Sequence, residues 1–407
     1  MSIKSNNDPY ASLRFHDFRF FLITKILITM ALQIQAVIVG WHVYSITNDP
    51  LSLGLIGLVE ILPNFSITLF AGHFADIYDR KKIVYSCLAA LVMCSVALFA
   101  VNHHVGLIYL IIAISGVARG VLNPSIFSIM TECVSPKHRV NSTSWNSTLW
   151  QISFMLGAGG SGFLYAWLEY KSYLVITALM ILSILSFFFI SPKPHLTKKD
   201  QKAPMLGSIK SGIKFVFNNE IFLGAISLDL FAVLFGGAVA LLPIFANDIL
   251  KVGPQGLGFL KAAPSLGSFL MAAVVVYFPP IHNTGKKLLA AVFGFGICMI
   301  VFGISKNYYL SLAVLAISGA FDNISVVVRG TIMQTMVPPE MKGRVYAVNS
   351  IFVGSSNELG AFESGVAARA LGVVPSVVFG GVMTLAVVVM TYLKAPKLKN
   401  LEFKDIS

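Results

Sequence analysis

"AISG", residues 113–116, recurs unchanged as "AISG" at residues 316–319, in a chain of 407 residues. The same shift along the chain, without a gap, places the "NS" at 146–147 over the "NS" at 349–350. Leucine and valine match easily by chance between apolar segments, but Asn-Ser and glycine at fixed intervals do not. We therefore predict that the chain consists of two repeats with the same fold.

The composition indicates a membrane protein. Hydrophobic residues make up 56% of the chain, charged residues only 12%, and the mean hydropathy is +0.78. A soluble protein would carry about 25% charged residues, and about 20 apolar residues cross the hydrocarbon core of a bilayer. The sequence therefore predicts an all-α membrane protein with twelve transmembrane helices, near residues 20–46, 51–75, 83–103, 105–133, 140–168, 171–191, 220–249, 255–279, 285–304, 308–334, 345–370 and 373–393.

A polar stretch divides these helices into six and six. We predict an N-terminal six-helix bundle over 1–192, a cytoplasmic linker over 193–217, and a C-terminal six-helix bundle over 218–407. The linker is either an amphipathic helix on the membrane surface or an unstructured connector, and the sequence supports both readings equally. Repeated bundles of this kind are typical of secondary transporters, whose solute site lies near the bilayer midplane.

The distribution of basic residues sets the orientation. Of the 30 Lys and Arg, the loops on one side receive most, and the loops on the opposite side receive four, Lys171, Lys251, Lys306 and Arg369. By the positive-inside rule both termini are cytoplasmic, and we expect a multi-pass membrane protein. The formal net charge of +12 follows from this topology, so we expect no nucleic-acid partner. The polar N-terminus has no small-residue cleavage site typical of a secretory signal.

The sequence contains no pattern that indicates an enzyme or a metal site. The four cysteines fall in or at the ends of apolar spans without metal-ligand spacing. A nucleophile elbow, a phosphate-binding glycine loop and a zinc motif are all missing. We expect no enzymatic activity, no cofactor and no bound metal, and we expect a monomer in the lipid bilayer.

A short charged loop, "GHFADIYDRKK" at 72–82, follows the second predicted helix. It resembles the signature loop of the major facilitator superfamily, although Asp79 stands where the family usually has a second glycine. The resemblance implies a cytoplasmic gate made by Gly72, Asp76, Arg80 and Lys81, which would lock the two halves together reversibly. The alternative is that the basic residues only hold this loop in the cytoplasm.

Further motifs extend the resemblance over nearly the whole chain. Arg119 lies mid-way through the fourth helix, where the superfamily often has a buried arginine, and "GAGGSG" at 157–162 resembles its glycine-rich exporter motif. Residues 322–365 look like the enterobactin-exporter-like branch, which includes macrolide-efflux-like proteins. The resemblance implies the major facilitator fold, with two pseudo-symmetric six-helix bundles. It also implies export of a siderophore, drug or similar amphiphile, driven by protons.

Ionisable and polar residues at membrane depth are costly and usually face a cavity or a partner. These positions form our candidate set for proton coupling and the substrate cavity: Glu60, Asn64, Arg119, Asn146, Trp150, Asp229, Lys261, Asp322, Arg329, Glu358 and Glu363. Asp322 and Glu358 are the leading carriers of a proton or cation, and reversible protonation of Asp229 is plausible. Alternatively, Asp322 and Glu358 form ion pairs with Arg329 that set the conformational preference.

Two positions carry opposite charges in the two repeats. Glu60 aligns with Lys261, and Arg119 aligns with Asp322. Glu60 either carries a proton or is neutralised by a neighbouring helix, while Lys25 either takes part in the site or reaches the membrane surface. On the fifth helix, Asn146 and Trp150 are expected to contact the solute. Rival functions are an importer, a cation carrier of the same fold, and a membrane receptor or enzyme.

Overall fold

The structure is a computed structural model that describes residues 8–77, 79–101, 104–191, 205–280, 282–338 and 341–402. The described residues form helices joined by short turns and contain no β-strand, which confirms the predicted all-α fold. The long helices of the N-terminal part are α1 (His16–Thr47), α2 (Pro50–Ile77), α3 (Arg80–Ala100), α4 (Val105–Glu132), α5 (Arg139–Leu168) and α6 (Ser172–Phe188). The rest of the chain forms α7 (Met205–Asn218), α8 (Glu220–Phe235), α9 (Leu242–Ile244), α10 (Gly253–Tyr277), α11 (Thr284–Ile304), α12 (Tyr308–Met336), α13 (Lys342–Leu371), α14 (Val373–Lys394) and α15 (Pro396–Lys399).

Most of these helices suit a bilayer. Within the described residues, ten stretches are long and apolar enough to cross a membrane, and one of them, Asn141–Phe188, contains most of α5 and all of α6. A helix rises 1.5 Å per residue, so the 32 residues of α1 extend over about 48 Å. Such lengths exceed the roughly 30 Å of the hydrocarbon core. The chain is therefore a multi-pass membrane protein.

Contacts between Cα atoms divide the chain into two units. The first unit comprises Met1–Val39 and Val59–Lys199, and the second comprises Gly40–Leu58 and Asp200–Ser407. The second unit thus includes a segment from the first predicted bundle, which contains the end of α1 and the start of α2. The predicted three-part division at 192 and 217 stays a prediction.

In the first unit, α3 contacts both α4 and α6. Ser95 on α3 and Thr177 on α6 share a buried hydrogen bond of 2.8 Å between their hydroxyl oxygens. Each hydroxyl is thereby satisfied at membrane depth, where water is not available as a partner. The Ser95 side chain is itself fully buried.

In the second unit, α12 packs closely on α10, and α11 packs on α14. Gly319 permits the first of these contacts, since a Cβ atom at that position would overlap the carbonyl oxygen of Pro264 on α10. Small residues let membrane helices approach in this way. Helix α7 lies in the predicted linker and adds Val216, which is 1% exposed, to the apolar core of this unit.

The predicted seventh membrane helix, 220–249, is not continuous. Helix α8 ends at Phe235, and the chain continues through a 3-10 turn, α9 and a π-helix at Phe245–Ile249. Gly236 and Gly237 lie at the break. A Cβ atom on Gly237 would come within 2.7 Å of the carbonyl oxygen of Gly360 on α13, so only glycine allows the backbones to approach there. Hydropathy does not detect this interruption because the surrounding residues are apolar.

Candidate functional site

An ion pair joins α2 and α4 in the first unit. The guanidinium of Arg119 contacts the carboxylate of Glu60, and the two side chains are 29% and 19% exposed. Gly120 brings the helices into backbone contact, because a Cβ atom there would lie 2.6 Å from the carbonyl oxygen of Asn64. Thr68 donates its hydroxyl hydrogen to that carbonyl, at 2.7 Å. The predicted residues Glu60, Asn64 and Arg119 therefore lie along one helix contact.

A second basic residue lies near this pair. Lys25 on α1 is half-buried and interacts electrostatically with Arg119. In the described part of the chain, no carboxylate forms an ion pair with Lys25, and its electrostatic neighbour Arg119 carries a like charge. Lys25, Arg119 and Glu60 therefore lie in one region of the first unit.

The predicted solute contacts on α5 have different surroundings. Asn146 has a buried side-chain oxygen without a hydrogen-bond partner in the described part of the chain. Trp150 is 44% exposed, and its ring centroid lies 5.5 Å from that of Phe154. Further along α5, Gly157 lies against the backbone of Met30 on α1. The α5 helix thus presents one buried polar oxygen and one exposed aromatic ring.

A buried ionic cluster lies in the second unit. Nη1 of Arg329 on α12 donates to Oδ2 of Asp229 on α8 at 2.5 Å, and these side chains are only 10% and 8% exposed. Nε of Arg329 donates to the hydroxyl of Ser325 at 3.2 Å. Asp322, two turns before Arg329 on α12, interacts electrostatically with both Arg329 and Asp229. The cluster therefore consists of two carboxylates around one guanidinium.

A small cavity adjoins this cluster. Its volume is about 20 Å³, which is sufficient for one water molecule. Asp229, Asp322 and Ser325 contribute to its wall, together with apolar side chains that include Phe295 and Phe321. Both acidic residues thus border the same small space.

Lys261 and Glu358 form another electrostatic contact in the second unit, between α10 and α13. A carboxylate oxygen of Glu358 would be 2.9 Å from a Cβ atom at Gly57, so the absence of a side chain there gives the carboxylate room. Glu363, one turn and a half further along α13, is half-buried. Thus Arg329 pairs with Asp229, whereas the carboxylate of Glu358 lies near Lys261.

The contacts of the α1–α2 connection were not predicted from the sequence. The hydroxyl of Tyr44 donates to a carboxylate oxygen of Asp248, which belongs to the π-helix. Asp49 lies 3.6 Å from a guanidinium nitrogen of Arg369. Gly54 on α2 is the feature of the sequence that could have indicated these contacts, because its backbone lies against that of α13. Together these contacts attach residues 40–58 to the rest of the second unit.

The predicted cytoplasmic gate lies partly outside the described residues, because the side chains of Gly72 and Asp76 are not among them. Arg80 forms an ion pair with Glu132 at the end of α4. The ammonium group of Lys81 donates to the carbonyl oxygen of Ile190, which follows α6. Both basic residues therefore bind partners within the first unit, and their role as a gate stays a prediction.

The described residues contain no group of three or more His, Cys, Asp or Glu side chains that could hold a metal ion. The four cysteines are buried and free. The guanidinium of Arg329 occupies one side of the Asp229 carboxylate.

Comparisons with known proteins agree on one family. The model of the Major Facilitator Superfamily matches residues 21–361. Macrolide efflux protein A of Streptococcus pyogenes is 19% identical over 381 residues, which cover 89% of this chain and 92% of that protein. The enterobactin exporter of Escherichia coli is 25% identical over 169 residues, 42% of this chain and 39% of that protein. A crystal structure of a nucleoside transporter superimposes with a TM-score of 0.78 at 10% identity, over 93% of this chain and 100% of the other, and shows the shared fold alone. The resemblance to macrolide-efflux and enterobactin-exporter proteins is thus confirmed, at low identity.

Proposed function

Because the chain belongs to the Major Facilitator Superfamily, we propose that it exports an amphiphilic organic molecule in exchange for protons. It is a membrane transporter and not an enzyme. The proposed cargo is a siderophore, a drug or a related metabolite, and the proposed location is the bacterial inner membrane with both termini in the cytoplasm. The efflux function of relatives such as macrolide efflux protein A supports the outward direction.

The observation that carries the proton coupling is the cluster of Asp229, Asp322 and Arg329. Its formal charge is negative by one, since two carboxylates share one guanidinium. Protonation of either acid would bring that charge to zero. A neutral cluster is favoured at membrane depth, where an uncompensated charge is costly. The adjoining cavity, with room for one water, offers a route for the proton.

Protonation of Asp229 would also change which helices are held together. The ion pair between Asp229 and Arg329 connects α8 to α12. Once Asp229 is neutral, the remaining acidic partner of Arg329 is Asp322, which lies on α12 itself. One proton would therefore release α8 from α12, and a switch between two pairings is how a local charge change biases a conformational equilibrium. This is the step we assign to alternating access.

Transport in proteoliposomes with an imposed pH gradient tests this function. We expect the purified protein to expel an amphiphilic dye or siderophore, and a protonophore should abolish the effect. Net uptake that is insensitive to the proton gradient would reject export in favour of an importer of the same fold. Cation-dependent transport without a pH requirement would favour the cation carrier.

The variant Asp229→Asn tests the assignment of the proton carrier. Because asparagine cannot take up the proton, transport against a concentration gradient should fall to background, while downhill exchange of the solute should continue. Glu169→Gln is the matched control, since that exposed carboxylate lies in the turn after α5. An Asp229→Asn protein that concentrates solute at the wild-type rate would show that the proton is carried elsewhere.

A further inference from the structure

Two membrane helices of the second unit end beside each other at one surface of the bilayer. Helices α11 and α14 pack closely and run antiparallel, since a Cβ atom on Gly303, near the end of α11, would lie 3.1 Å from Val377, near the start of α14. They contain 21 and 22 residues, so they extend over about 32 and 33 Å and match the roughly 30 Å hydrocarbon core. The first turn of α11 and the last turn of α14 therefore lie at the level of the lipid headgroups.

The short helix α15 is fixed to this surface. Leu398 is fully buried, and a Cβ atom on Gly285, in the first turn of α11, would overlap the carbonyl oxygen of Leu398. The backbone N–H of Gly285 donates to the carbonyl oxygen of Leu401 at 3.1 Å. The same Cβ atom would lie 2.9 Å from the carbonyl oxygen of Lys399. These contacts bring the backbone of Lys399 beside the residue that precedes Lys286.

An exposed tyrosine lies beside these lysines. Nζ of Lys399 is 3.7 Å from the centroid of the Tyr392 ring, which belongs to the last turn of α14. Lys286 is exposed and interacts electrostatically with the same side chain. Tyr392 is 47% exposed, and tyrosine at a membrane surface places its ring at the level of the headgroups. Two ammonium groups and an aromatic ring therefore occupy one place at the bilayer surface.

Neither of these two lysines has an acidic partner in the described part of the chain. The neighbouring Lys397 lies 3.6 Å from a carboxylate oxygen of Glu220, and its backbone N–H donates to the same carboxylate at 2.8 Å. Lys286 and Lys399 form no ion pair with a described carboxylate, and this includes Glu402, which follows α15. Both ammonium groups are therefore available to an anion from outside the chain.

We propose that Lys286, Lys399 and Tyr392 bind the phosphodiester group of an anionic phospholipid such as phosphatidylglycerol. Each ammonium group has three N–H donors, which form their strongest hydrogen bonds with anionic oxygens, and basic clusters beside membrane helices attract anionic headgroups. The acyl chains lie along the exposed apolar surface of α14, where Val389 and Leu393 are 53% and 71% exposed. This surface favours a lipid over a free phosphate ion. The site is independent of the cargo and of the direction of transport.

Native mass spectrometry of the purified full-length protein in detergent tests this proposal. Dioleoyl phosphatidylglycerol and dioleoyl phosphatidylcholine are titrated separately, and the dissociation constant of the first bound lipid is measured for each. We expect phosphatidylglycerol to bind about tenfold more tightly, as one charge-assisted hydrogen bond would give. Lys286→Gln and Lys399→Gln should each remove this preference, by weakening phosphatidylglycerol about tenfold while phosphatidylcholine is unchanged. Lys399→Arg should retain the preference because it keeps the charge.

Lys306→Gln is the matched control, because it removes the same charge from an exposed lysine just beyond the opposite end of α11. This variant should keep the wild-type preference, and its loss there would overturn the proposal by showing an effect of net charge alone. Equal affinity of the wild-type protein for the two lipids, including no binding of either, would also overturn it. So would equal weakening of both lipids by Lys286→Gln and Lys399→Gln, since the lysines would then act through the fold. Displacement of phosphatidylglycerol by inorganic phosphate would replace the lipid site with a site for a free anion.

Discussion

Replacing Arg329 by glutamine would leave the carboxylates of Asp229 and Asp322 near each other without their shared cation. The Arg329 and Asp229 side chains are 10% and 8% exposed, so little solvent screens them. Removing one partner of such a buried pair costs about 3–5 kcal/mol. Asp229→Asn leaves Arg329 with Asp322 and removes one hydrogen bond to a charged group, which costs about 1.5–3 kcal/mol. We therefore expect Arg329→Gln to be the more destabilising variant.

Thermal and denaturant unfolding of the purified variants in detergent, followed by intrinsic fluorescence, measures this order. Arg14→Gln is the matched control, because Arg14 pairs with Asp8 at the surface and is 78% exposed. Exposed pairs contribute about 0–1 kcal/mol, so this variant should unfold like the wild type. An Arg329→Gln protein as stable as Asp229→Asn would refute the idea that one guanidinium compensates two acids.

Two further variants test close contacts within the second unit. Gly319→Ala should greatly reduce the yield of folded protein, because the added Cβ atom would overlap a backbone oxygen of α10. Gly330→Ala is the control and should be tolerated, since that site is open. Comparable yields of monodisperse protein from the two variants would contradict the contact between α10 and α12. Tyr44→Phe should accelerate amide hydrogen exchange in residues 40–58 by roughly 10- to 100-fold, because the hydrogen bond to Asp248 is lost. Unchanged exchange rates would show that this hydrogen bond does not hold the segment.

The helical fold was predictable because the bilayer restricts the backbone to few solutions. Long apolar runs can only be helices or barrel strands there, and the matched Gly and Asn-Ser positions indicated a repeat. The break after Phe235 was not predictable from hydropathy, and at the break the backbone of α13 approaches Gly237. That approach depends on residues more than a hundred positions away. Local sequence does not contain this information.

The ionisable members of the candidate site were identifiable, but their partners were not. One alternative reading paired Arg329 with Asp322 and Glu358, whereas the acid that its guanidinium hydrogen-bonds is Asp229, 100 residues away in the chain. Spacing along one helix reveals which residues share a face, as it did for Asp322 and Arg329. It does not reveal which side chain of another helix lies opposite that face. Glu60 and Arg119 illustrate the same limit, because their pairing depends on the close approach of α2 and α4 at Gly116 and Gly120.

Attachment of residues 40–58 to the second unit has a consequence for how this polypeptide can be divided. A cut in the linker would give two fragments. The C-terminal fragment would lose residues 40–58, in which Gly54 lies against the backbone of Gly365. Its Asp248 and Arg369 would lose Tyr44 and Asp49 as partners. Neither fragment would therefore fold independently, although the sequence contains two similar repeats.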